Sequence, residues 1–426
     1  MSKPRLVLID PGHFHAALVQ REMYESLSPE ARVYAPLGPD LLDYLGRITR
    51  FNAASERPTG WRLRLQASPD FLARLKDEAP GGVAIIAGRN GHKIERIEAA
   101  VAAGLHVLAD KPMIIRREAL SRLDAVLVQA AERGLVVHDL MTGRLDEIGR
   151  AIRALRSDPE LFGEPVPGSA AEPGVRLSNV HQLLKTVAGL PNRRPPWYFD
   201  ITEQGEGLAD TGTHLVDRVH ETLFPNDALD YRRDIRLHTA SRWPTRLSLT
   251  QFCEVTGAAA WPNFLAPWIA GDMLDYYCNG RLQYEIRGIH VALECRWDWQ
   301  TEAGDDTHNS IYRGSHCRLE LRQGKPEGYR PQLYVVPEGD IAAALERRIA
   351  ALQAELPGIG LEQRDGEWRI VVPDELRRGH EANFAAFTRQ FLAYVEDRRT
   401  IPPRFRSNLL AKYYVTTGGV TLSHGR

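Results

Sequence analysis

Residues 83–112 of this 426-residue chain read VAIIAGRNGHKIERIEAAVAAGLHVLADKP, and they decide the predicted fold. The apolar runs Val83–Ala87 and His106–Ala109 each have the length of a buried strand. Between them, the apolar residues from Ile94 to Ala103 recur with the spacing of a helix that is polar on one face. A helix between two such runs is typical of parallel strands joined by a crossover connection. The stretch therefore predicts part of a parallel sheet.

The same alternation of strands and amphipathic helices extends over residues 1–145. Further strands are predicted at Arg5–Ile9, Arg32–Tyr34, Arg62–Gln66 and Leu135–His138. Further helices are predicted at Ala16–Leu27, Asp40–Ile48, Asp70–Glu78 and Arg117–Arg133. We therefore expect an N-terminal α/β domain of the Rossmann type, a doubly wound parallel sheet with helices on both faces.

Residues 146–426 differ in character and predict an α+β domain. Between Tyr231 and Val336, long runs alternate apolar and polar residues, as in Leu282–Arg287 and Leu293–Trp299. Such alternation is typical of a large, open antiparallel sheet with one face exposed or covered by a partner. The helices expected around this sheet are Leu145–Arg156, a charged surface insertion at Ala342–Leu356, and His380–Asp397 and Ser407–Val415, which are candidates for packing back on the first domain.

The composition excludes two classes of partner. The chain has 54 Lys and Arg against 55 Asp and Glu, so its net charge of −1 provides no basic footprint for nucleic acid or for an anionic membrane surface. No apolar stretch approaches the ~20 residues of a membrane span. Because the chain reaches the apolar run Leu6–Ile9 without room for a secretory leader, we expect a cytoplasmic protein with reduced, buried cysteines.

The first predicted strand runs into the segment DPGHFHA, residues 10–16. A dinucleotide-binding fold has its G-x-G-x-x-G turn at this place, and only the middle glycine, Gly12, is present. Gly12 would let the backbone approach a pyrophosphate, and the helix that follows would add its positive N-terminal dipole. The cofactor-binding residues expected in this turn are Gly12, His13, Phe14 and His15.

The pair His13 and His15 also has the H-x-H form of the metal-binding barrels of amidohydrolases. That alternative requires further ligands at the carboxyl ends of later strands. His106 opens its predicted strand and would lie at the opposite end of the sheet. We therefore expect no metal site here.

Two more predicted strands end in polar residues, Asn90 and His92 after one, and Asp110 and Lys111 after the other. Ligands of an open parallel sheet bind at the carboxyl ends of its strands, so these side chains should converge on one cleft. A lysine there can hydrogen-bond both a ribose and a reacting oxygen, and Pro112 stiffens the turn behind it. We expect Lys111 to be catalytic and the other three residues to contact the cofactor.

The second decisive segment, residues 205–217, reads GEGLADTGTHLVD. Asp210 and His214 are four residues apart and would share one face of a helix. Histidine suits proton transfer near neutral pH, and an aspartate beside it can orient it or hold a substrate hydroxyl. A lysine, a histidine and a carboxylate on a nucleotide-binding fold meet the needs of hydride transfer from an alcohol.

These segments together resemble the Gfo/Idh/MocA family, named after glucose-fructose oxidoreductase and inositol dehydrogenase. The stretch Asn90–Met113 is similar to the family's "N-x-x-H … A-x-A-G-K-H-V … E-K-P" segment, and Gly205–Asp217 to its "G-G … D-x-G-x-H-x-x-D" signature. The resemblance implies that Lys111 is the catalytic lysine, His214 the proton-transferring histidine and Asp210 the acid one turn before it. A subgroup with an enlarged C-terminal half matches best.

The choice between NAD and NADP depends on the residues after the second strand. A 2′-phosphate needs an Arg or Lys nearby, and none occurs in the sequence before Arg47. Asp40 could accept a hydrogen bond from a free 2′-hydroxyl. We therefore expect NAD, with NADP as the alternative.

The expected reaction transfers a hydride between the nicotinamide and a secondary hydroxyl or ketone of a sugar, glycoside or cyclic polyol. Two alternatives stay open, an NAD-dependent glycosidase that oxidises its sugar transiently, and a non-catalytic ligand sensor. Polar groups interleaved with aromatic rings suit a sugar. The substrate-binding candidates of this kind are His181, Lys185, Arg194, Trp197, Tyr198 and His308.

The alternating run from Leu282 to Trp299 also predicts a subunit interface. Tyr284, Ile286 and the two tryptophans Trp297 and Trp299 would give one face of the sheet the contact area of an obligate interface. We therefore expect a homodimer or homotetramer that associates through the C-terminal sheet.

Overall fold

The computed structural model describes residues 3–187, 190–191, 193–300 and 305–425. The chain folds into two compact units, each of which is discontinuous in sequence. The first unit comprises Met1–Thr142, Thr202–Gln204 and Gly379–Arg406, and the second comprises Gly143–Ile201, Gly205–Arg378 and Ser407–Arg426.

The first unit is built on a six-stranded sheet with the strand order β3-β2-β1-β4-β5-β6. All neighbouring strands are parallel. This is the strand order of the dinucleotide-binding Rossmann fold, and it confirms the predicted fold class. The strands are β1 (Leu6–Ile9), β2 (Glu30–Ala35), β3 (Arg62–Ala67), β4 (Val83–Ile86), β5 (His106–Asp110) and β6 (Val137–Leu140).

The helices of this unit agree with prediction except at two places. The predicted helix Ala16–Leu27 is wrong beyond its first turn, because the helix ends at Leu18. Tyr24 and Leu27 are buried at helical spacing, but a turn rather than a helix buries them, and Leu27 N–H donates to Tyr24 O. Residues Ala73–Asp77 form a 3₁₀-helix where a longer helix was predicted. The α-helices are α1 (His15–Leu18), α2 (Pro39–Asn52), α3 (Lys93–Ala102) and α4 (Leu120–Glu132).

The second unit contains a large, mostly antiparallel sheet with the order β10-β12-β13-β7-β14-β15-β16-β18-β17, to which β11 adds on β12. Only the β7–β13 pair is parallel among the described strands of this sheet. The predicted open antiparallel sheet is therefore confirmed. The strands are β7 (Val175–Gln182), β10 (Ile235–Ser248), β11 (Ile269–Ala270), β12 (Met273–Ile286), β13 (Ile289–Asp298), β14 (Thr307–Arg313), β15 (Cys317–Gln323), β16 (Gln332–Pro337), β17 (Gly360–Arg364) and β18 (Glu367–Val371), with a separate short pair β8 (Thr186–Val187) and β9 (Leu190–Pro191).

The helices of the rest of the chain cover the apolar face of this sheet or return to the first unit. Leu215 and Val219 of the helix after residue 211 share one core with Leu293 of β13. The helix Ala342–Leu352 was predicted as a surface insertion, and that is wrong because Leu345 and Leu352 are buried in the same core. The helices are α5 (Glu147–Arg156), α6 (Gly212–Leu223), α7 (Leu249–Thr256), α8 (Ala342–Leu352), α9 (His380–Glu396, in the first unit) and α10 (Phe405–Ser423).

The aromatic face expected to form a subunit interface is instead part of the core. Tyr284 and Ile286 are 0% exposed and Trp297 is 6% exposed within the single chain. The side chains that face outward from β12 and β13 are the polar ones between them, such as Gln283 and Glu294. The sequence pattern identified the two faces of the sheet correctly but not which one the chain covers itself.

All four cysteines are free, and burial raises the pKa of the Cys278 and Cys295 thiols to about 12, as it does that of Cys317. Cys253 lies on α7 and, contrary to expectation, is only half-buried. No helix among the described residues is long and apolar enough to cross a membrane.

Candidate functional site

The loop after β1 makes its first turn at an aspartate. Asp10 has a φ of 48°, in the left-handed region that favours glycine but that aspartate tolerates. Its carboxylate accepts a hydrogen bond from Arg96 of α3 at 2.5 Å. A charged side chain anchored on α3 thus occupies the first glycine position of the expected dinucleotide turn.

Close packing explains the glycines around this loop. A Cβ atom at Gly12 would lie 3.1 Å from the Asp40 carboxylate, so this glycine sits against the start of α2. A Cβ atom at Gly88 would collide with the carbonyl oxygen of Asp10. Gly88 therefore lets the end of β4 approach the loop, a role that the sequence analysis did not assign.

Two histidines of the loop share one carboxylate oxygen from the end of β5. His15 Nδ1 lies 2.9 Å and His13 Nδ1 3.4 Å from Asp110 Oδ2. Burial, together with the charge of His15, lowers the pKa of His13 to about 4, so His13 is neutral at physiological pH. Burial disfavours the Asp110 carboxylate, yet His15 and His13 hold the pKa of Asp110 well below its ordinary value. The structure thus brings three predicted cofactor residues into one polar cluster.

The predicted helix dipole contributes little at this loop, because α1 is only four residues long. The backbone amides of Gly12 and His13 already donate to Asp10 O and Ala87 O. Side chains of this loop can supply further donors for an anion. Besides the two histidines, Arg47 lies over the ring of Phe14 at 5.8 Å.

Lys111 follows β5 directly and is half-buried. Beneath it lies Lys93, which is 0% exposed and donates a hydrogen bond from Nζ to the carbonyl oxygen of Asp110 at 2.8 Å. The sequence analysis assigned no function to Lys93, since nothing in a single helix position marks it as buried. The chain thus fixes the backbone immediately before Lys111 with a second lysine.

Asn90 and His92 are placed differently from each other. Asn90 is buried, and its side chain donates to Gln204 O at 2.7 Å while its backbone N–H donates to Glu203 O at 2.7 Å. Asn90 therefore anchors the short segment Thr202–Gln204 on the first unit. The side chain of His92 is 70% exposed and lies 3.8 Å from Glu95.

The carboxylate of Asp40, which follows β2, forms an ion pair. Asp40 lies 3.2 Å from the guanidinium of Arg89, which follows β4. No cation lies between Asp40 and Arg47 in the sequence, and Arg89 was not predicted because its contact with Asp40 depends on strand order. An arginine is therefore available where a 2′-hydroxyl or a 2′-phosphate would be distinguished.

In the second unit, Asp210 and His214 lie at the start of α6. The helix begins at Gly212, so Asp210 lies in the hydrogen-bonded turn before it, where its N–H donates to Glu206 O. Asp210 is buried and His214 is half-buried. A Cβ atom at Gly207 would collide with the carbonyl oxygen of Cys278 on β12, so a glycine is needed for the close approach of this loop to the sheet.

Aromatic residues surround Asp210. Burial raises the pKa of Tyr198 and of Tyr276, and the negative charge of Asp210 adds to both shifts. The guanidinium of Arg194 lies 4.6 Å from the ring of Tyr198 and 4.7 Å from that of Trp297. Trp197 and Tyr198 were both expected to line the pocket, but each is 3% exposed and belongs to the core that contains Phe199 and Leu274.

A second polar cluster lies at the ends of β7 and β14. Asp306 Oδ2 is 2.7 Å from His181 Nδ1 and 2.6 Å from Lys185 Nζ. Burial opposes ionisation, but His181 and Lys185 keep the pKa of Asp306 well below its ordinary value. His308 is half-buried beside this cluster, and desolvation followed by the charge of Arg218 lowers its pKa well below the usual range. Asp306 was missed because it lies 125 residues from His181 in sequence.

The comparisons with known proteins agree with this architecture. Residues 152–424 match the family described as "Putative oxidoreductase C terminal domain". The chain belongs to this family. A crystal structure of a protein from Parabacteroides merdae, described as a putative oxidoreductase, is 39% identical and has a TM-score of 0.96, with 100% of this chain and 98% of that chain covered. No curated protein matches the sequence significantly.

More distant solved structures share the fold of this oxidoreductase. A putative oxidoreductase from Erwinia carotovora is 16% identical, with a TM-score of 0.60 and 99% of both chains covered. KijD10, a 3-ketoreductase from Actinomadura kijaniata solved with NADP and TDP-benzene, is 16% identical, with a TM-score of 0.59 and 99% and 98% of the two chains covered. At this identity the likeness concerns the fold.

The oxidoreductase supports α6 with a buried ionic cluster that the sequence analysis did not predict. Asp217, one turn after His214, accepts hydrogen bonds from Arg144 Nη2 at 2.6 Å and from Lys412 Nζ at 2.8 Å. Burial opposes ionisation, but these two cations hold the pKa of Asp217 well below its ordinary value. Helix α6 is thereby tied to the chain on both sides of it, at Arg144 and on α10.

Proposed function

We propose that this oxidoreductase transfers a hydride between NAD(P) and a secondary hydroxyl or ketone of a sugar, glycoside or cyclic polyol. The observation that carries the proposal is the position of Lys111, directly after β5 at the carboxyl edge of a sheet with the dinucleotide-binding order. The resemblance of the segments around Lys111 and His214 to the Gfo/Idh/MocA family supports the same reaction class.

The loop after β1 has the properties needed to hold a dinucleotide. Gly12 keeps the loop flat against Asp40, and the imidazoles of His13 and His15 with the guanidinium of Arg47 can face the diphosphate. Bound NAD(P) supplies the nicotinamide ring that accepts or donates the hydride. In solved structures of this fold, KijD10 contains NADP and GenD2, from gentamicin A biosynthesis, contains NAD.

The proton in the proposed reaction is handled by this chain's own residues. During oxidation His214 takes the proton of the substrate hydroxyl, and Asp210 stabilises the imidazolium that results. Lys111 donates a hydrogen bond to the reacting oxygen, which stabilises the negative charge that develops there. In the reverse direction His214 returns the proton to the ketone oxygen.

A sugar-like substrate is favoured by the mixture of side chains near Asp210. The guanidinium of the half-buried Arg194 offers hydrogen-bond donors beside the buried rings of Tyr198 and Trp297. The cluster of His181 and Asp306 adds further polar groups on the same unit. Relatives by fold include a 3-ketoreductase, KijD10, whose reaction is of the proposed type.

The second candidate function is a redox-neutral glycosidase that oxidises its sugar, eliminates the aglycone and returns the hydride. Elimination needs a second proton-transfer group beside the one used for oxidation. His181, whose Nδ1 is 2.7 Å from the carboxylate of Asp306, is a second histidine–carboxylate pair that could serve. This pair is the observation that favours the alternative.

One experiment separates the possibilities. Purified protein is incubated with NAD or NADP and a panel of sugars and aryl glycosides while reduced nucleotide and free aglycone are both followed. Net accumulation of reduced nucleotide supports the dehydrogenase, whereas aglycone release at constant nucleotide supports the glycosidase. A nucleotide at 100 times its dissociation constant should add ~2.7 kcal/mol of stability, and no thermal shift with either nucleotide would contradict both functions.

We also propose that the oxidoreductase is a homo-oligomer that associates through the outer face of the second sheet. This face carries a groove of about 530 Å³ on strands β7, β10, β12 and β13. Its lining combines polar side chains with alanines and leucines, in contrast to the aromatic inner face. The groove is lined by Arg176, Ser178, Thr239, Ser241, Arg281, Gln283, Ala292 and Glu294, among others.

A further inference from the structure

Three potential metal ligands meet on the outer face of the second sheet, far in sequence from the residues proposed for catalysis. They are His238 on β10, Glu285 on β12 and His290 on β13, with one ligand atom of each within 4.8 Å of the others. The sequence analysis singled out none of them. Glu285 and His290 alternate with buried residues such as Tyr284 and Ile289, so they face away from the core.

A β-bulge brings His238 to this position. Leu237 pairs with Tyr284 and Thr239 pairs with Gln283, so His238 is an extra residue without a partner of its own on β12. A bulge of this kind re-aims a side chain out of the regular alternation. Glu285 and His290 need no such device, because they are directly opposite each other in the β12–β13 ladder.

The side chains of His238 and His290 both extend toward strand β12, which lies between β10 and β13. Strands β10 and β13 are both neighbours of β12, so a regular sheet would place them about 9–10 Å apart. The ring centroids of His238 and His290 are nevertheless only 5.6 Å apart, and their planes differ by 16°. The two rings therefore converge above Glu285.

The distances between the nitrogen and oxygen atoms of this group fit ligands of a shared metal ion better than hydrogen-bond partners. The Nε2 atoms of His238 and His290 lie 3.6 Å and 3.8 Å from Glu285 Oε2, which is beyond hydrogen-bonding range. Ligands about 2.0–2.2 Å from a tetrahedral zinc ion are about 3.3–3.6 Å from one another. In addition, His238 Nε2 is shielded from solvent and has no hydrogen-bond partner among the described residues.

The cluster of His13, His15 and Asp110 differs in this respect. At 2.9 Å, His15 Nδ1 and Asp110 Oδ2 form a hydrogen bond, so the nitrogen uses a proton rather than a lone pair. That separation is also shorter than the spacing of ligands around a tetrahedral zinc ion. The first-unit cluster therefore contains one internal hydrogen bond, whereas the three side chains of the outer-face group are not hydrogen-bonded to one another.

We propose that His238, Glu285 and His290 bind one divalent first-row transition metal ion, zinc by preference. Two neutral imidazoles and one carboxylate are a common protein ligand set for zinc, and each remaining position would take water. The three side chains are 28–31% exposed within the single chain, so the ion can reach them from solvent in the monomer. The bound ion would cross-link strands β10, β12 and β13. It would take no part in the proposed hydride transfer.

The test is a titration of the whole protein with zinc chloride after dialysis against a chelator, followed by calorimetry. We expect one zinc ion per chain. His238→Ala and His290→Ala should each weaken binding by at least ~10-fold, the lower bound for losing even an outer-shell partner of a metal site. Glu285→Gln, which keeps the size of the side chain, should weaken it similarly and abolish the rise in melting temperature that zinc causes.

The matched control is His316→Ala, which removes another exposed histidine of the same unit and should leave the zinc affinity unchanged. Cobalt(II) added in place of zinc should give visible absorption bands in the wild type and in His316→Ala, but not in Glu285→Gln. Wild-type zinc affinity in the Glu285→Gln protein, or loss of binding in His13→Ala instead, would overturn the proposal.

Discussion

Lys93 Nζ donates a hydrogen bond of 2.8 Å to the carbonyl oxygen of Asp110, the residue that immediately precedes Lys111. A fully buried lysine on α3 thus holds the backbone from which the proposed catalytic lysine projects. The carboxylate of Asp110 also accepts a hydrogen bond from Nδ1 of His15. The end of β5 is therefore fixed through both its backbone and its carboxylate.

Replacing this buried lysine should impair turnover through Lys111. Lys93→Met leaves the Asp110 carbonyl without its donor, which costs about 1–3 kcal/mol of stability. We expect kcat to fall with little change in KM, since Lys93 positions a group and touches no substrate. Steady-state kinetics and thermal melts check this, with Lys76→Met as the exposed control. Equal effects of the two variants would contradict the positioning role.

Removal of the proposed catalytic side chains should slow the chemical step. Lys111→Ala and His214→Ala are each expected to lower kcat by ~100-fold or more, because each removes a proton-transfer or transition-state contact. His214→Ala should change the affinity for NAD by no more than a few-fold, which fluorescence titration can measure. Wild-type turnover in the His214 variant would remove that residue from the mechanism.

The pairing of Asp40 with Arg89 should control the choice of nucleotide. Asp40→Asn removes the negative charge and releases Arg89 from its 3.2 Å ion pair, so the preference should shift toward NADP. The Arg89→Gln variant should shift it toward NAD. The measurement is the ratio of kcat/KM for the two nucleotides. If this ratio is the same in both variants and in the wild type, other residues distinguish the 2′-hydroxyl of NAD from the 2′-phosphate of NADP.

Stability should fall as the pH falls below about 6.5, partly through His220. Burial lowers the pKa of His220 from its ordinary value of 6.5 to about 3. Between these values the unfolded chain binds a proton that the folded chain does not, so acidification favours unfolding. The melting temperature of the His220→Leu variant should therefore fall less than that of the wild type between pH 6.5 and pH 4. His316→Leu, at an exposed position, is the control and should follow the wild type.

Association through the outer face of the second sheet should depend on the groove there. Ala292→Arg places a long cation in the groove and should dissociate the oligomer while leaving the buried inner face intact. Light scattering at micromolar concentration measures the outcome. A wild-type mass equal to the 47.9 kDa chain would contradict the proposed association.

The first sheet was predictable because its information is local. Four buried residues in a row, as in LVLI of β1 and VAII of β4, indicate strands with both faces covered, and the helices between them require parallel pairing. The D-x-x-x-H and D-K-P segments were likewise recognisable from neighbours within a few residues. Only α1 departs strongly, because spacing alone does not distinguish a helix from a turn that buries Tyr24 and Leu27.

The sequence by itself determined which residues form the strands, which face of β12 and β13 is apolar, and where Lys111 and His214 stand in the chain. The tertiary structure decided which groups meet. Arg89 reaches Asp40, Asp306 reaches His181, and Lys93 reaches the Asp110 carbonyl only through strand order and helix packing. It also decided that α6 and α8 cover the apolar face. Burial and pairing depend on contacts between residues far apart in sequence, and no local pattern encodes them.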